Sequence, residues 1–440
     1  MISVDAGTVG LIMLLGFLVA LLSGLPVAFA LGTVAAICTF LFWGGPGVYS
    51  LAYQAFNVMN NFVLVAIPLF IFMAMILDKA EIAKDMFTAA YEWAGPVRGG
   101  LAIGVVIICT VFAACTGIVG GAVTAMGIIA LPRMLERGYD KNIAMGSILG
   151  GGTLGQLIPP SVVMILYASQ TGVSVGALFA AGICAGLILS ALFIAYVGIR
   201  SFFQRDLCPA LPLEERVTWH KKIASIRHLI LPLMLIGLVL GSIFLGIATP
   251  TEAAGVGVVG ALFSAAVRRR LNWKVVQGSI IATVGICTMI GWIILGAACF
   301  SMTFIMAGGK ELVGNLFLHM PGGQWAILAL ILFILFILGM LIDAPAIIMV
   351  TVPLFSPVIG QTGIDPLWFA LLFMIMLQIG WISPPFGESL FYFKAVAPPS
   401  ITLPDLYRAS IPFVGLQLIG LVIFIIWPQS TLWLPHMLFK

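Results

Sequence analysis

The chain has 440 residues, 62% of them hydrophobic and 8% charged, against roughly a quarter charged in an ordinary soluble protein. A soluble globular domain is thereby excluded. The net charge of +4 comes mostly from Lys and Arg in loops, with no basic patch interleaved with aromatics, which excludes a nucleic-acid binder. Apolar runs at residues 102–129, 230–247 and 325–342 have or approach the length of roughly 20 residues at which a helix crosses a bilayer. Porin-like alternation is absent. The composition therefore predicts an all-α polytopic membrane protein.

The first apolar stretch, residues 8–43, is too long for one helix. Ser23-Gly24-Leu25-Pro26 divides it into two spans, and Gly44-Gly45-Pro46 is expected to end the second. The first 22 residues carry neither a basic n-region nor a small-residue cleavage site, so a retained span is expected there and not a signal peptide. A third span follows over 62–77, closed by Asp78-Lys79. In residues 80–93, Glu81, Lys84, Asp85 and Glu92 alternate with Ile82, Met86, Phe87 and Tyr91. This fits an amphipathic helix lying along the interface, the plainer alternative being a cytoplasmic loop helix.

Between Arg98 and Arg133 an apolar run has Thr116-Gly117 near its middle, with positive charge at both ends. Both ends are then cytoplasmic, and about 16 residues per arm at 1.5 Å rise fall short of full bilayer thickness. A re-entrant hairpin is expected, against two full spans with a very short outer turn. The chain next runs outward from Lys141 to about Thr171 and returns through 175–199 to Arg200. Residues 202–227, with Arg205, Arg216, Lys221, Lys222 and Arg227, are expected to link two halves in the cytoplasm.

The second half repeats this order: spans at 228–247, 253–267 and 275–306, a polar segment at 308–320, and a hairpin at 325–358 turning near Asp343-Ala344-Pro345. A broken span at 366–396 and a final span at 410–427 complete it. Gly138-Tyr139-Asp140 puts its Asp 19 residues before Pro159, and Gly363-Ile364-Asp365 puts its Asp 19 before Pro384. Each unit has an odd number of crossings when hairpins are left out, so the two copies are expected to be inverted repeats, as in many secondary transporters.

The breaks themselves are Gly155-Gln156-Leu157-Ile158-Pro159-Pro160-Ser161 and Gly380-Trp381-Ile382-Ser383-Pro384-Pro385-Phe386. Proline has no N–H, so the carbonyls of Gly155, Gln156, Gly380 and Trp381 are expected to lose their helical partners. Free carbonyls at membrane depth are tolerated only where protein buries them or where they line a polar site. They suit Na⁺, while the half-helix starting after each break presents a positive end suited to a carboxylate.

Hydroxyls cluster at these places: Thr153 and Ser161, Ser383 and Ser389, and Thr116 at the first hairpin tip. Each alone is weak, because such hydroxyls more often bond their own backbone. Asp343 and Glu388 are the acids deepest in apolar surroundings, and intramembrane acids are functional candidates by default. Asp343 suits either cation ligation or capping of the hairpin's second helix. Glu252, after Thr249-Pro250-Thr251, reads as a first-turn acid without a transport role. The seven cysteines contain no CxxC, and His220, His228, His319 and His436 have no metal spacing. Patterns for hydrolases, nucleotide binding and zinc are absent, so nothing points to an enzyme.

Residues 112–127 and 131–155, Ile158-Pro159-Pro160-Ser161, Gly339-Met340-Leu341-Ile342-Asp343 and residues 380–387 closely resemble the large membrane subunit of tripartite ATP-independent periplasmic (TRAP) transporters, and the similarity spans the chain. The resemblance implies Na⁺-driven uptake of organic anions, usually carboxylates, by an elevator motion across a bacterial inner membrane. It implies two partners, an extracytoplasmic solute-binding protein and a small four-helix membrane subunit. Mobile elements would be residues 97–200 and 321–440, scaffold elements 1–96 and 229–320, with 201–228 as linker.

The family's sodium sites map to Thr116, Gly117, Gly152, Thr153 and Gly155 on one side and Asp343, Gly380 and Ser383 on the other. Substrate contacts map to Gln156, Pro159, Pro160, Ser161, Trp381, Pro384, Pro385, Phe386 and Glu388. Two departures stand out. Ile118-Val119 follow Gly117 where many members are Ser-rich, which shifts cation binding toward backbone oxygens and Thr116. Ser-Pro-Pro-Phe-Gly-Glu replaces the common Thr-Pro-Pro-Val-Gly, with Phe386 and Trp381 expected to narrow the cavity. The rival readings are a stand-alone carrier of the same architecture and, further off, a membrane-embedded enzyme or scaffold.

Overall fold

A computed structural model describes residues 5–94, 97–117, 119–210, 217–318 and 320–439. Ile118, Arg216 and His319, singled out in the sequence, lie outside the described residues. The first half comprises α1 (Ala6–Leu22), α2 (Val27–Met59), α3 (Ala66–Lys79), α4 (Ile82–Ala94), α5 (Gly100–Thr116), α6 (Val119–Glu136), α7 (Lys141–Thr153), α8 (Val162–Thr171) and α9 (Val175–Phe203). After the short α10 (Trp219–Ser225) come α11 (Arg227–Phe244), α12 (Pro250–Val267), α13 (Trp273–Met306), α14 (Gly309–Leu318), α15 (Gly323–Leu341) and α16 (Ala344–Thr362). The chain closes with α17 (Pro366–Ile382), α18 (Glu388–Val396), α19 (Leu403–Ile426) and α20 (Gln429–Leu438). Ten helices among the described residues are long and apolar enough to cross a membrane, and no strand occurs among those residues.

The same order of elements occurs twice: three helices, a short amphipathic arm, a hairpin, a broken helix, then a long helix. The matched Gly-x-Asp motifs explain the 19-residue spacing. Gly138 and Gly363 both take φ of 75°, a conformation open to glycine without strain, which ends the preceding helix. Asp140 and Asp365 then cap the next one, accepting from Ile143 N–H at 3.1 Å and Trp368 N–H at 2.8 Å. Each broken helix therefore starts at a fixed distance from its Pro-Pro pair.

Helices α7 and α17 are buried along nearly their whole length. This is what interrupted backbone requires in a membrane protein. Helix α7 packs against α5, α6 and α19, and α17 against α15, α9 and α19. Buried polar contacts tie these neighbours together: Gln417 Nε2 donates to Thr153 Oγ1 at 3.1 Å, and Trp368 Nε1 donates to the Phe424 carbonyl at 2.9 Å. A second group forms around α13, which packs on α2 and α3, with the Thr39 and Thr303 hydroxyls 2.7 Å apart. Many residues on the outer faces of α1, α2, α11 and α13 are large, apolar and exposed, as lipid contact demands.

Helix α2 is interrupted at Gly44-Gly45-Pro46 as read from the sequence: Gly44 takes the non-helical φ 66° and ψ −153°, and a further helical segment, not expected, continues to Met59. Pro46 is tolerated because it falls in the first turn of the resumed segment, where no N–H is needed. The final span begins at Leu403, because Thr402 and Asp405 form a capping box with Pro404 in the first turn. Helix α20, not expected from the sequence, packs against α9.

The amphipathic arm α4 is anchored across the halves. Arg268, just past α12, donates to Asp85 and to the His228 carbonyl at 2.8 Å. Arg270 donates to Asp85 at 3.0 Å and to the Ala80 carbonyl at 2.9 Å. Asp85 is 15% and Arg268 11% exposed, so removing the carboxylate strands the Arg268 guanidinium largely out of bulk water, while Arg270, 35% exposed, keeps access to solvent. Asp85→Asn is expected to lower the thermal midpoint of the detergent-solubilised protein, corresponding to a loss of up to about 3 kcal/mol. Lys84→Ala, which removes an exposed pair with Glu81 at 3.5 Å, should cost about 0.5 kcal/mol or less.

Candidate functional site

At the first break the helix tightens into a short turn over Leu154–Gln156. Pro159-Pro160 and Pro384-Pro385 are both cis. Ser161 then caps α8, accepting from Met164 N–H at 3.4 Å while donating to the Gln156 carbonyl at 2.5 Å. At the second break the Ser383 N–H donates to the Gly380 carbonyl at 3.1 Å. Two of the four carbonyls expected to be free are thus engaged. Among the described residues the carbonyls of Gly155 and Trp381 have no partner: the residues four positions on are Pro159 and Pro385, and Ile158 N–H turns to the Leu154 carbonyl at 2.8 Å.

The hydroxyls spend their protons on backbone. Thr116 donates to Phe112 at 3.0 Å, Thr153 to Gly150 at 2.8 Å and Ser383 to Ile379 at 2.6 Å. Each oxygen is left with lone pairs, although that of Thr153 also accepts from Gln417. Asp343 occupies the cap position of α16 but its carboxylate makes no capping bond, so of its two expected roles capping is not the one realised.

Tips and breaks are in contact. A methyl added to Gly117, which has φ of 62°, would lie 2.0 Å from the Pro160 carbonyl oxygen. One added to Gly380 would lie 2.7 Å from the Gly339 carbonyl carbon, and one on Gly152 2.5 Å from a Val123 methyl. Gly117→Ala therefore combines a clash with positive-φ strain and is expected to cost about 1–3 kcal/mol together with most transport activity. Gly172→Ala, also at positive φ but facing open space, should cost only about 1 kcal/mol and leave uptake near normal. Thermal melts and vesicle uptake of both variants check this.

Both tips, both breaks and the first turns of both half-helices open onto one cavity. Gly117 and Gly120 line it from the first tip, Asp343 and Pro345 from the second, Gln156 and Trp381 from the breaks. Val163 of α8 and Glu388 and Tyr392 of α18 complete that side, and Ile286, Met289, Ile290 and Ile293 of α13 form the facing apolar wall. The remaining mapped residues lie behind this surface. Gly152, Thr153, Gly155, Pro159, Pro160 and Ser161 are buried beneath the first tip, and Gly380 and Ser383 beneath the second. Pro384 and Pro385 do not line the cavity, and Tyr407 donates to the Pro385 carbonyl at 3.0 Å. Trp381 lines the cavity, whereas Phe386, 55% exposed, does not.

Tyr392 was not singled out by sequence reasoning. It lies four residues after Glu388, on the same helix face, and donates its hydroxyl to that carboxylate. The spacing was the available signal. The α13 wall carried none, because its apolar residues look like those of any lipid-facing span.

A buried pair of interrupted helices, two hairpin tips closing on them and a shared cavity, mostly apolar but bearing two carboxylates, define a polytopic membrane transporter built on discontinuous helices. Residues 14–430 match the family described as the DctM component of tripartite ATP-independent periplasmic transporters, and the chain belongs to that family. Its members are transport proteins and not enzymes. The C4-dicarboxylate TRAP transporter large permease DctM of Pseudomonas aeruginosa is 32% identical over 410 residues, covering 93% of this chain and 94% of that protein. The ectoine TRAP transporter large permease TeaC of Halomonas elongata is 30% identical, covering 96% and 97%. In fold, the YdaH transporter of Alcanivorax borkumensis superposes with a TM-score of 0.64 at 13% identity, over 92% of this chain and 98% of that one.

Proposed function

We propose that the chain is the substrate-translocating subunit of a Na⁺-coupled importer of carboxylate-bearing organic solutes in a bacterial inner membrane. The observation that carries this reading is the convergence of both tips and both breaks on one cavity. Two residual free carbonyls, of Gly155 and Trp381, and three hydroxyl oxygens, of Thr116, Thr153 and Ser383, stand beside the tips, with Asp343 on the cavity wall. An all-oxygen donor set of this kind suits a hard cation. Thr116, Gly117, Gly152, Thr153 and Gly155 would hold one Na⁺, and Asp343, Gly380 and Ser383 another. When bound, the ion supplies positive charge that joins tip to break and favours an anionic group nearby.

The helices packed around α7 and α17 form the mobile elements, residues 97–200 and 321–440. Those around α13, residues 1–96 and 229–320, form the scaffold, and 201–228 links the halves. The apolar wall of Ile286, Met289, Ile290 and Ile293 suits a surface past which the site slides, since it offers no polar group to hold it. The two halves are related as inverted repeats. An extracytoplasmic solute-binding protein delivers substrate, and a small four-helix membrane subunit completes the complex, as the tripartite family description supports. Reconstitution with and without each partner tests the assembly. Uptake should require both, whereas full uptake by the chain alone would favour a stand-alone carrier.

A further inference from the structure

We propose that the cavity selects solutes carrying a cationic nitrogen as well as a carboxylate, and that Glu388, held by Tyr392, faces that nitrogen. The proposal rests on the translocation reading above and adds the charge of the substrate's second end.

The charge inventory comes first. Two carboxylates, of Asp343 and Glu388, line the cavity, and no Lys, Arg or His does so among the described residues. Lys394, in the last turn of α18, donates to the Ile401 carbonyl and lies outside the cavity. If Asp343 serves a Na⁺, Glu388 remains as a carboxyl group with no basic side chain facing it among the described residues, and a cationic nitrogen is the group that would hold it ionised. A dicarboxylate would bring a further negative charge to it, a like-charge contact that disfavours binding.

Position within the helix points the same way. Glu388 is the first residue of α18, so the positive end of that half-helix already faces the chain's own carboxylate. Of the two half-helix ends that the sequence assigns to a substrate anion, this leaves that of α8, where Val162 and Val163 reach the cavity. The first N–H groups of a helix have no partner within it.

Two buried polar atoms in the cavity wall independently indicate a ligand. Trp381 is 8% exposed and Gln156 1%, and among the described residues neither the Trp381 Nε1–H nor the Gln156 Oε1 has a partner. Buried polar groups are satisfied in native proteins unless a ligand, ion or water completes them. Trp381 offers a donor suited to a carboxylate, alongside the α8 end. Gln156 Oε1 offers an acceptor suited to a charged nitrogen, alongside Glu388. Orientation of the acid is fixed: the Tyr392 hydroxyl is donated to Glu388 Oε1, leaving the second oxygen outside that bond. The Tyr392 ring is itself held against Gly120 of the first tip, where an added methyl would come within 3.1 Å of it.

The test uses matched acids that differ only at one end: succinate with 4-aminobutyrate, malonate with β-alanine, and glutarate with 5-aminovalerate. They are offered as one equimolar pool, together with the solute-binding protein, to vesicles containing the permease and its small subunit under an inward Na⁺ gradient. The zwitterion of each matched pair should exceed its diacid in Na⁺-dependent accumulation by at least roughly tenfold, the scale of a built-in repulsive charge. Glu388→Gln should shrink that ratio by about as much, and Glu388→Asp, which keeps the charge, should preserve its direction. Preference for the diacids, or a ratio that Glu388→Gln leaves unchanged in folded protein, overturns the proposal. Na⁺-dependent uptake that ignores charge overturns the proposal and leaves the translocation reading standing. Absence of Na⁺-dependent uptake for every member defeats the translocation reading and this proposal with it.

Discussion

Replacing Pro384 and Pro385 together by alanine is expected to lower Na⁺-driven uptake on the order of 100-fold while leaving the protein inserted and folded. Two new N–H groups would appear, and the one at position 385 falls four residues after Trp381, whose carbonyl has no ladder donor. A proline inside a helix costs about 3 kcal/mol; removing two lets α17 extend toward α18. The break then closes over the oxygens that a cation needs. Loss of supporting geometry around a metal site costs on the order of 10–100-fold in affinity, and uptake should fall by about the upper end of that range. Alanines at Pro159 and Pro160 should act the same way through the Gly155 carbonyl. Initial rates in proteoliposomes, beside protease accessibility of the loops, check the result, and normal uptake by either double variant would remove the breaks from the site.

Asp343→Asn should produce the second-largest effect. The carboxylate makes no capping bond although it stands at the start of α16, so amide replacement removes no helix cap. Its expected cost to folding is accordingly small. The loss should fall on the coupling ion: the Na⁺ concentration giving half-maximal uptake should rise on the order of tenfold or more, with the thermal midpoint nearly unchanged in Na⁺-free buffer. A large fall in that midpoint, with unaltered Na⁺ dependence, would give Asp343 a structural role instead.

Much of this architecture is legible in the sequence because proline, glycine and aspartate impose conformations locally. Gly138 with Asp140 and Gly363 with Asp365 end one helix and begin the next, whatever surrounds them. Pro-Pro pairs break a helix for the same local reason. Longer-range outcomes are less legible. That Ser161 would give its proton to the Gln156 carbonyl, or that the Ser383 N–H would cover Gly380, depends on how the chain turns after the break. Missing ladder donors count which carbonyls lack a helical partner but not which find another. Gly44 and Pro46 do interrupt the helix, but the helical segment that follows to Met59 carries no local signal of its own.

The site shows the same division. Gln156, Trp381, Asp343 and Glu388 were singled out as polar or aromatic residues at breaks or in apolar surroundings, and the fold gathers them around one cavity. Phe386 was grouped with them by adjacency, yet a turn between Ser383 and Gly387, closed by a 3.0 Å bond from the Gly387 N–H to the Ser383 carbonyl, carries it outside. The α13 wall is invisible in sequence because an apolar residue facing a cavity and one facing lipid are chemically alike.

The central claim, that this chain moves a carboxylate-bearing solute by Na⁺ coupling through the site between tips and breaks, is tested most directly by transport of ions themselves. Proteoliposomes holding the permease and small subunit, supplied with the loaded solute-binding protein, are given an inward Na⁺ gradient or an inward proton gradient. Accumulation driven by Na⁺ alone, and lost in the Pro384-Pro385 double variant, is the expected result. Accumulation driven by the proton gradient alone, or Na⁺-driven accumulation that survives in that variant, would contradict it.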